Sequence, residues 1–305
     1  MTAPRHELDA ARDTGGPMAM RYHVGDKSVW RVGYGAMQLA GDGVFGPPRD
    51  REEAIAVLRA AVDAGVDHID TAQYYGPGVV NRLIREALFP YPNELALVSK
   101  VAARRDGFGA VLPHDEPDQL RAGIEENLAT LGVEQLTAVN LRVMDNAVPD
   151  ERFADQLGAL IAARDDGLIA GIGISNVTLR HLLRALEVTD IVCVQNAYNL
   201  ADRSSAAILN ECAARGIAFV PFCPLGWPRK QHDAIRTNPV VAGIAVSHGA
   251  TPAQVALAWL LAIADNVLLI PGTSSRGHLA ENLGAGSLSL RDDEVASLSA
   301  AFSEP

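Results

Sequence analysis

Asp70, Tyr75 and Lys100 are the residues whose types and spacing could do chemistry. The apolar segment 66–69 ends at Asp70, and Tyr75 follows in the loop that leaves it. Thirty residues beyond Asp70, a second apolar run at 95–99 ends in Lys100. A carboxylate, a phenol and an ammonium at neighbouring strand ends can deliver a proton. The lysine and the acid can bring the pKa of the phenol, ordinarily about 10, closer to working pH.

Asp70 and Lys100 also fit a purely structural interpretation. A buried Asp70–Lys100 ion pair perturbs pKa values without any catalysis. The tyrosine five residues after the acid, together with the order of the motifs described below, favours chemistry.

The composition bounds the class of protein. The chain has 305 residues, of which 48% are hydrophobic and 21% charged, enough for one large α/β domain or two ordinary ones. Its net charge of −11 and its pI near 5.2 argue against a nucleic acid or an acidic membrane as partner. Cys193, Cys212 and Cys223 have no metal-ligand spacing, so we expect reduced thiols and no metal site.

The sequence contains no evident membrane span or secretion signal. No segment approaches about 18 uninterrupted apolar residues, and residues 1–20 lack the apolar stretch of a signal peptide. We therefore expect a flexible tail at 1–20 and a single domain at 21–305. A cytoplasmic location and a monomer or weak homo-oligomer complete this prediction.

Short apolar runs alternate with amphipathic stretches along the chain. The apolar runs are mostly continuous, as in parallel strands that are buried on both faces. The predicted strands are 30–34, 66–70, 96–100, 138–142, 169–174, 191–195, 218–222 and 267–270. The predicted helices are 51–64, 79–87, 117–131, 150–166, 178–186, 204–215, 252–264 and 275–284. Asp50, Thr178 and Thr251 are typical residues to begin three of them.

This alternation predicts an α/β fold, a (β/α)₈ TIM barrel. A doubly wound open sheet is the alternative, but the segment 33–38 is not the GxGxxG that would follow its first strand. Irregular segments at 40–48, 102–116 and 224–238 follow strands one, three and seven, on the face where barrel active sites form. Residues 22–29 are predicted as a β-hairpin that caps the bottom of the barrel.

Polar residues and recognisable motifs stand at the ends of these strands. The motifs are IDTAQYYG at 69–76, the SK strand end at Lys100, GISN at 173–176, VQN at 194–196, and PGTSS followed by HLAENL within 271–283. In this order they resemble the aldo-keto reductase superfamily, and the resemblance covers residues 30 to 285. Polar groups that converge from several strand ends of one barrel are hard to explain by stability alone.

The resemblance implies an NADPH-dependent oxidoreductase that reduces an aldehyde or ketone by hydride transfer. Tyr75 would be the general acid, with Asp70 and Lys100 lowering the pKa of its phenol. The nicotinamide carboxamide would be held by Ser175, Asn176 and Gln195, and Phe222 would stack on its ring. The other cofactor-binding positions that it implies are Gly35, Ala36, Met37, Asp70, Pro224, Leu225, Gly226, Pro271, Gly272, Thr273, Ser274, Ser275, His278, Glu281 and Asn282.

Three aromatic residues are candidates for the substrate pocket. Phe45, Tyr74 and Trp227 stand in loops on the predicted active face. Loop aromatics can line a pocket or simply anchor the loop, and the two interpretations are about equal here.

One residue departs from the family pattern. Where most members carry a histidine at the end of strand four, this chain has Arg142. Arginine stays protonated and cannot relay a proton, but its fork of donors can hold an anion or a carbonyl oxygen. A similar arginine belongs to the branch that resembles bacterial pyridoxal reductases, so we expect an anionic or phenolate-bearing aldehyde. A salt bridge from Arg142 to Asp145 or Asp70 is the structural alternative.

A second departure concerns the cofactor. Many relatives have a lysine at Gly272 and an arginine at His278, both of which bind the 2′-phosphate. In this chain Arg276 is the only permanent cation nearby. The Ser/Thr-rich loop favours NADPH, and NADH is not excluded.

Two other functions are compatible with parts of the sequence. A nicotinamide-binding regulatory or redox-sensing protein with little turnover would fit Arg142, which replaces the histidine of most family members. The presence of Asp70, Tyr75 and Lys100 together argues against it. An unrelated barrel enzyme with a phosphorylated substrate after strands seven and eight would bind no nicotinamide.

Overall fold

Strands and helices alternate through the computed structural model, which describes residues 20–302. The strands are β1 (Arg21–Val24), β2 (Lys27–Trp30), β3 (Tyr34–Gly35), β4 (His68–Asp70), β5 (Ala96–Arg105), β6 (Val111–His114), β7 (Leu136–Arg142), β8 (Ile169–Ser175), β9 (Cys193–Gln195) and β10 (Ala218–Phe219). The helices are α1 (Arg51–Asp63), α2 (Val79–Leu88), α3 (Pro117–Leu131), α4 (Asp150–Asp165), α5 (Leu179–Leu186), α6 (Ala206–Arg215), α7 (Arg229–Thr237), α8 (Pro239–Ser247), α9 (Pro252–Ile263), α10 (Arg276–Gly284) and α11 (Asp292–Ala300). The tail predicted at 1–20 lies outside the described residues except for Met20.

The barrel wall is formed by parallel strands in the order β3, β4, β5, β7, β8, β9, β10. Isolated parallel bridges close the ring, joining Phe219 to Val267 and Val32 to Leu269. The amide of Leu269 donates to the carbonyl of Arg31 at 2.7 Å. Together with the surrounding helices this confirms the predicted (β/α)₈ barrel.

Several predicted strands differ in extent from the observed ones; 218–222, for example, is observed as β10 with an isolated bridge at Phe222. Trp30 belongs to β2, so the first wall strand is Tyr34–Gly35, with only a bridge at Val32. The eighth, predicted at 267–270, consists of the two bridges alone. Pro271 follows and has no N–H with which to extend the pairing beyond Ile270.

The predicted hairpin is confirmed as the antiparallel pair of β1 and β2. Gly25 takes a left-handed φ of 63° in the turn between them, which glycine adopts without steric cost. Val24 and Val29 are fully buried, and they pack against the interior residues Ala96 and Ala138. The hairpin therefore closes the N-terminal mouth of the barrel.

The segment 102–116, predicted to be irregular, is instead an antiparallel arm. β5 leaves the wall at Ala102, where φ is +83°, and its end pairs with β6. The carboxylate of Asp106 accepts hydrogen bonds from the amides of Phe108 and Ala110, both at 2.9 Å, and so organises the turn. Asp-Gly pairs are common in hairpin turns, and the pair Asp106-Gly107 was not recognised as one in the sequence.

The segment 224–238 was also predicted to be irregular and contains α7. The next helix, α8, was missed, although Asn238 caps it by accepting from the amide of Val240 at 2.9 Å and Pro239 stands at its first position. Of the expected helix starts, Asp50, Thr178 and Thr251 each accept a hydrogen bond from the backbone of the following first turn.

Helix α9 is largely apolar, and its residues 255–261 are all buried. It packs against α7, α8, α10 and α11, which explains an apolar surface on every side. Among residues 20–302 no single helix is long and apolar enough to cross a membrane, although α8 and α9, bent by 92°, pass such a test together by length and composition.

A buried arginine fastens the seam where the barrel closes. Arg31 is 4% exposed, and its guanidinium donates to the carbonyls of Val267, Leu261 and Ala264 at 3.1, 2.8 and 2.6 Å. One side chain thus satisfies three carbonyls between α9 and residue 267.

Replacing Arg31 with methionine should lower the free energy of unfolding by about 3 kcal/mol, because buried carbonyls lose their donors. Urea denaturation measures this loss. Arg59→Met is the matched control: Arg59 is exposed and donates to one carbonyl, that of Ala87, so we expect a change below about 0.5 kcal/mol. Equal losses in the two variants would show that Arg31 does not fasten the seam.

Candidate active site

The acid and the lysine form a buried ion pair at the C-terminal end of the barrel. Asp70 ends β4, Lys100 lies on β5, and each is 3% exposed. The ammonium of Lys100 donates to Oδ1 of Asp70 and, at 3.1 Å, to the carbonyl of Thr71. The second carboxylate oxygen, Oδ2, accepts from Nε2 of Gln195 at 2.8 Å. Both oxygens of Asp70 therefore have a donor, which a buried carboxylate needs.

Tyr75 lies beside this pair. Its ring is 5.1 Å from Nζ of Lys100, measured to the centroid, and meets the ring of Tyr74 edge-on at 5.2 Å. The turn behind it requires Gly76, which has φ of +61° and whose added Cβ would lie 2.6 Å from the carbonyl oxygen of Gly46. Within residues 20–302 the Tyr75 hydroxyl has no hydrogen-bond partner, so it is free to bind a substrate.

The surroundings of Tyr75 act on its pKa in opposite directions. Burial raises the pKa of Tyr75 above its usual value, and the charge of Asp70 raises it further, whereas Arg142 and Arg105 lower it. The sequence predicted that Lys100 paired with Asp70 would lower this pKa; in the structure Asp70 raises it, and burial has the largest effect. The phenol therefore holds its proton at neutral pH and is a donor.

Arg142 ends β7, in register with Ser175 on β8. It is half-buried, and no ion pair or side-chain hydrogen bond joins it to any residue from 20 to 302. The alternative salt bridges are not formed: the oxygens of Asp70 are occupied, and the carboxylate of Asp145 accepts from the amide of Ala147 at 2.9 Å. Its charge is therefore available to a substrate.

Arg105 is a second cation near Tyr75, and it was not predicted. It stands on the arm, where Nε donates to the carbonyl of Tyr74 at 3.2 Å and Nη1 to that of Gly109 at 2.6 Å. Residues 102–116 were predicted to be irregular, so no prediction put Arg105 near the hydroxyl of Tyr75. Like Arg142, it pairs with no carboxylate in the described part of the chain.

Two side-chain oxygens are left without partners where the resemblance places the nicotinamide carboxamide. Oγ of Ser175 and Oε1 of Gln195 are both buried and have no partner among residues 20–302, and the two residues are neighbours in register. Asn176 has a positive φ of 57°, and its side-chain Nδ2 donates to the carbonyl of Val143 at 2.8 Å. Because buried polar atoms are nearly always hydrogen-bonded, these oxygens fit an amide group of a ligand.

The segment after strand seven places Phe222 half-buried near the barrel mouth, with its amide bonded to the carbonyl of Asn196 at 3.0 Å. Gly226 has φ of +95°, and a Cβ there would lie 2.7 Å from the amide of His232, so the chain passes close to α7. Pro224 is buried and Leu225 half-buried. Trp227, a candidate for the substrate pocket, is 71% exposed.

The ends of strands one and eight lie against each other. A Cβ on Gly272 would be 2.7 Å from the carbonyl oxygen of Gly35, and the Tyr34 hydroxyl donates to the carbonyl of Thr273 at 2.6 Å. Beside them, the predicted positions Ala36 and Pro271 are buried, Met37 and Ser275 are half-buried, and Ser274 is exposed. Close backbone contact at two glycines leaves the loop little freedom.

The predicted 2′-phosphate region is mostly open to solvent. Arg276 forms an ion pair with Glu53 of α1 at 3.0 Å, and His278 is exposed. Glu281 accepts from the hydroxyl of Thr251, and Asn282 is buried. The one nearby arginine is therefore already shared with a carboxylate.

Two candidate pocket aromatics, Phe45 and Tyr74, are half-buried and buried, respectively. Phe45 is half-buried and lies where a Cβ on Gly109 would come within 3.1 Å of its ring, so it contacts the arm. The hydroxyl of Tyr74 is buried without a partner. The three cysteines are free, and in the described range no group of three or more metal-ligating side chains occurs.

Comparison with known proteins agrees with this geometry. The sequence model described as "Aldo/keto reductase family" matches residues 31–302. Pyridoxine 4-dehydrogenase of Escherichia coli strain K12 is 48% identical over 91% of this chain and 96% of its own. An uncharacterized oxidoreductase of Schizosaccharomyces pombe is 34% identical over 90% of this chain and 87% of its own.

Solved structures show the same architecture. A thermostable aldo-keto reductase crystallised with the inhibitor epalrestat has a TM-score of 0.79 at 30% identity, covering 92% of this chain and 99% of its own. An aldo-keto reductase from Klebsiella pneumoniae, crystallised with NADPH, has a TM-score of 0.80 at 24% identity, covering 93% and 95%. The predicted family is thus confirmed, and with it the prediction of an NAD(P)H-dependent oxidoreductase: the chain belongs to the aldo/keto reductase family.

Proposed function

We propose that the protein reduces an aldehyde with NADPH, that Tyr75 protonates the carbonyl oxygen, and that Arg142 and Arg105 hold an anionic group beside it. The observation that carries this proposal is a buried tyrosine whose hydroxyl has no partner within residues 20–302. It lies beside one ion pair and two arginines that pair with no carboxylate in that range. The reverse reaction, oxidation of the alcohol, uses the same groups.

The cofactor would be held by the two oxygens that have no partner. Ser175 Oγ and Gln195 Oε1 match the amide of a nicotinamide carboxamide, and Phe222 offers a half-buried ring on the next strand. A bound nicotinamide supplies the hydride. Gln195 also donates to Asp70, so one side chain would link the carboxamide to the ion pair.

The charges around the phenol suit a reduction. As a carbonyl is reduced, negative charge develops on its oxygen, and preorganised donors or cations at that point lower the barrier. Lys100, Arg142 and Arg105 supply positive charge near Tyr75. Since Asp70 neutralises Lys100, the two arginines carry the net positive charge.

An anionic substrate would suit these two arginines, because neither pairs with a carboxylate within residues 20–302 and Arg142 also has no side-chain hydrogen bond there. Guanidinium forks bind oxyanions through two parallel donors. The relative at 48% identity is named pyridoxine 4-dehydrogenase, and pyridoxal carries a phenolate next to its aldehyde. We therefore propose pyridoxal-like, phenolate-bearing aldehydes as the substrate class.

Loss of NADPH absorbance with a panel of aldehydes tests this function. Pyridoxal and 2-hydroxybenzaldehyde should be reduced, and 2-methoxybenzaldehyde, which cannot form a phenolate, should be reduced less well. Each is run with NADPH and NADH, because Arg276 is shared with Glu53. No turnover on any aldehyde, together with quenching of tryptophan fluorescence by NADPH, would instead support a regulatory nicotinamide-binding protein.

Ser175→Ala should weaken NADPH binding about tenfold, the value of one ordinary hydrogen bond, without destabilising the free protein. The reason is that its hydroxyl is buried without a partner. Fluorescence titration gives the affinity and urea denaturation the stability. Ser287→Ala, at an exposed serine near the opposite end of the barrel, should leave both unchanged. An unaltered affinity in Ser175→Ala would remove this residue from the cofactor site.

A further inference from the structure

A cluster of polar side chains lies buried outside the barrel wall, between the strand ends and the helices α2 and α3. It consists of Thr71, Gln73, Asn81, Ser99 and Asn127, and none of them is more than 4% exposed. We refer to it as the Asn127 cluster. A buried polar group is costly unless it is hydrogen-bonded, so the bonds within the cluster need an account.

Asn127 is the centre of these bonds. Its Oδ1 accepts from Oγ of Ser99 at 2.6 Å and from Nδ2 of Asn81 at 2.9 Å. Its Nδ2 donates to Oε1 of Gln73 at 3.1 Å and to the carbonyl of Gly123 at 2.8 Å. An amide side chain has two donors and two acceptor lone pairs. All four are used, which fixes the orientation of the amide.

Two members of the cluster are sequence neighbours of the buried ion pair. Ser99 precedes Lys100, and Thr71 follows Asp70 and donates to Oδ1 of Asn81 at 2.7 Å. Because successive side chains in a strand point to opposite faces, holding Ser99 on the outer face fixes the register of Lys100 on the inner face.

The third connection reaches the loop of the phenol. Gln73, two residues before Tyr75, accepts from Asn127 and donates through Nε2 to the carbonyl of Ala103, at the base of the arm, at 3.2 Å. The backbone carbonyl of Thr71 also accepts a hydrogen bond from the ammonium of Lys100 at 3.1 Å. The cluster thus contacts every segment that presents a group of the proposed reaction on β4 and β5.

A glycine lets α3 approach closely enough for these bonds. A Cβ on Gly123 would lie 3.2 Å from the side chain of Val101 and 3.3 Å from Nε2 of Gln73. Glycine inside a helix is unfavourable by about 1 kcal/mol relative to alanine. Its presence in α3 is explained by the close contact with β5.

We propose that Asn127 is a positioning residue: it holds the ends of β4 and β5 and the loop to Tyr75 in one fixed relation. This inference rests on the proposed function, since it assigns the cluster a role in that reaction. A mispositioning of about 1 Å in reacting groups can cost about 10²-fold in rate, so a cluster that sets their spacing acts on kcat without touching the substrate.

Two single substitutions test the proposal, one within the Asn127 cluster and one at a residue that borders it. Ser99→Ala removes the bond that leads to Lys100. Thr130→Val removes a hydroxyl that accepts from Asn81 at 3.0 Å and donates to the carbonyl of Glu126 at 2.6 Å, on the side away from the ion pair. Ser99→Ala should lower kcat about tenfold and Thr130→Val less than about twofold, with the NADPH dissociation constant unchanged in both. Urea denaturation shows whether the two lose similar stability.

Crystal structures of the parent and of Ser99→Ala provide a readout that needs no turnover. The ammonium of Lys100 should shift relative to Asp70 and to the carbonyl of Thr71 when Ser99 loses its bond to Asn127. Equal kcat in the two variants, or an unmoved Lys100, would overturn the positioning role. If the parent reduces no aldehyde, the proposed function fails, and the position of Lys100 still decides this inference.

Discussion

Tyr75→Phe should lower kcat for aldehyde reduction about 10³-fold, in the range that one general acid contributes, while NADPH affinity stays within about twofold. The substitution removes only a hydroxyl that has no partner within residues 20–302, and the ring keeps its contacts with Lys100 and Tyr74. Stability should therefore be unchanged. NADPH absorbance, fluorescence titration and urea denaturation measure the three quantities.

Two other tyrosines serve as controls for this result. Tyr91 lies in the loop between α2 and β5, where its hydroxyl donates to the carbonyl of Leu131 at 2.7 Å. Tyr91→Phe should lose about 1 kcal/mol of stability, the value of one hydrogen bond, and keep its kcat. Tyr74 has a buried hydroxyl without a partner and is the rival acid. If Tyr75→Phe stays active and Tyr74→Phe does not, the acid is Tyr74.

The fold was predictable because the barrel has a strong local signal. Apolar runs such as 96–100 and 169–174 lie between helices as predicted, and the expected glycine stop is observed at Gly132 after α3. The weakest wall segments were predicted least well: residues 267–270 form only bridges, and β3 has two residues. Their pairing depends on contacts across the closed ring, which no local pattern records.

The candidate site was predictable where a residue ends a strand. Asp70, Lys100, Arg142 and Ser175 follow from strand ends that meet at one face of a barrel. Arg105 was missed because the arm that carries it depends on a pairing between Arg105 and Val111. The bond from Gln195 to Asp70 links positions 125 residues apart, and such a contact exists only after folding. The contacts of Asn127 also exist only after folding, and by its position in the sequence it is an ordinary residue of the predicted helix 117–131.

Arg142→Met should change which aldehydes the protein reduces. For pyridoxal and 2-hydroxybenzaldehyde we expect kcat/KM to fall about 50-fold, the value of a charge-assisted hydrogen bond to an oxyanion. For 2-methoxybenzaldehyde the fall should stay below about fivefold, because that substrate presents no oxyanion to the lost guanidinium. Stability should be unaffected, since Arg142 has no ion pair in the part of the chain that the structure describes. Steady-state kinetics with NADPH measures the ratio of the two losses.

The comparison with two further variants decides what Arg142 does. Arg142→Lys keeps the charge without the planar fork, so it should recover only part of the preference for phenolate-bearing aldehydes. Arg59→Met changes the net charge of the protein by the same amount at an exposed position on α1, and it should leave the preference intact. Equal losses on the hydroxy and the methoxy aldehyde in Arg142→Met would mean that Arg142 acts on Tyr75 rather than on the substrate. Because the charge of Arg142 lowers the pKa of the phenol, that outcome would also appear as a shift of the alkaline limb of the pH–rate profile to higher pH.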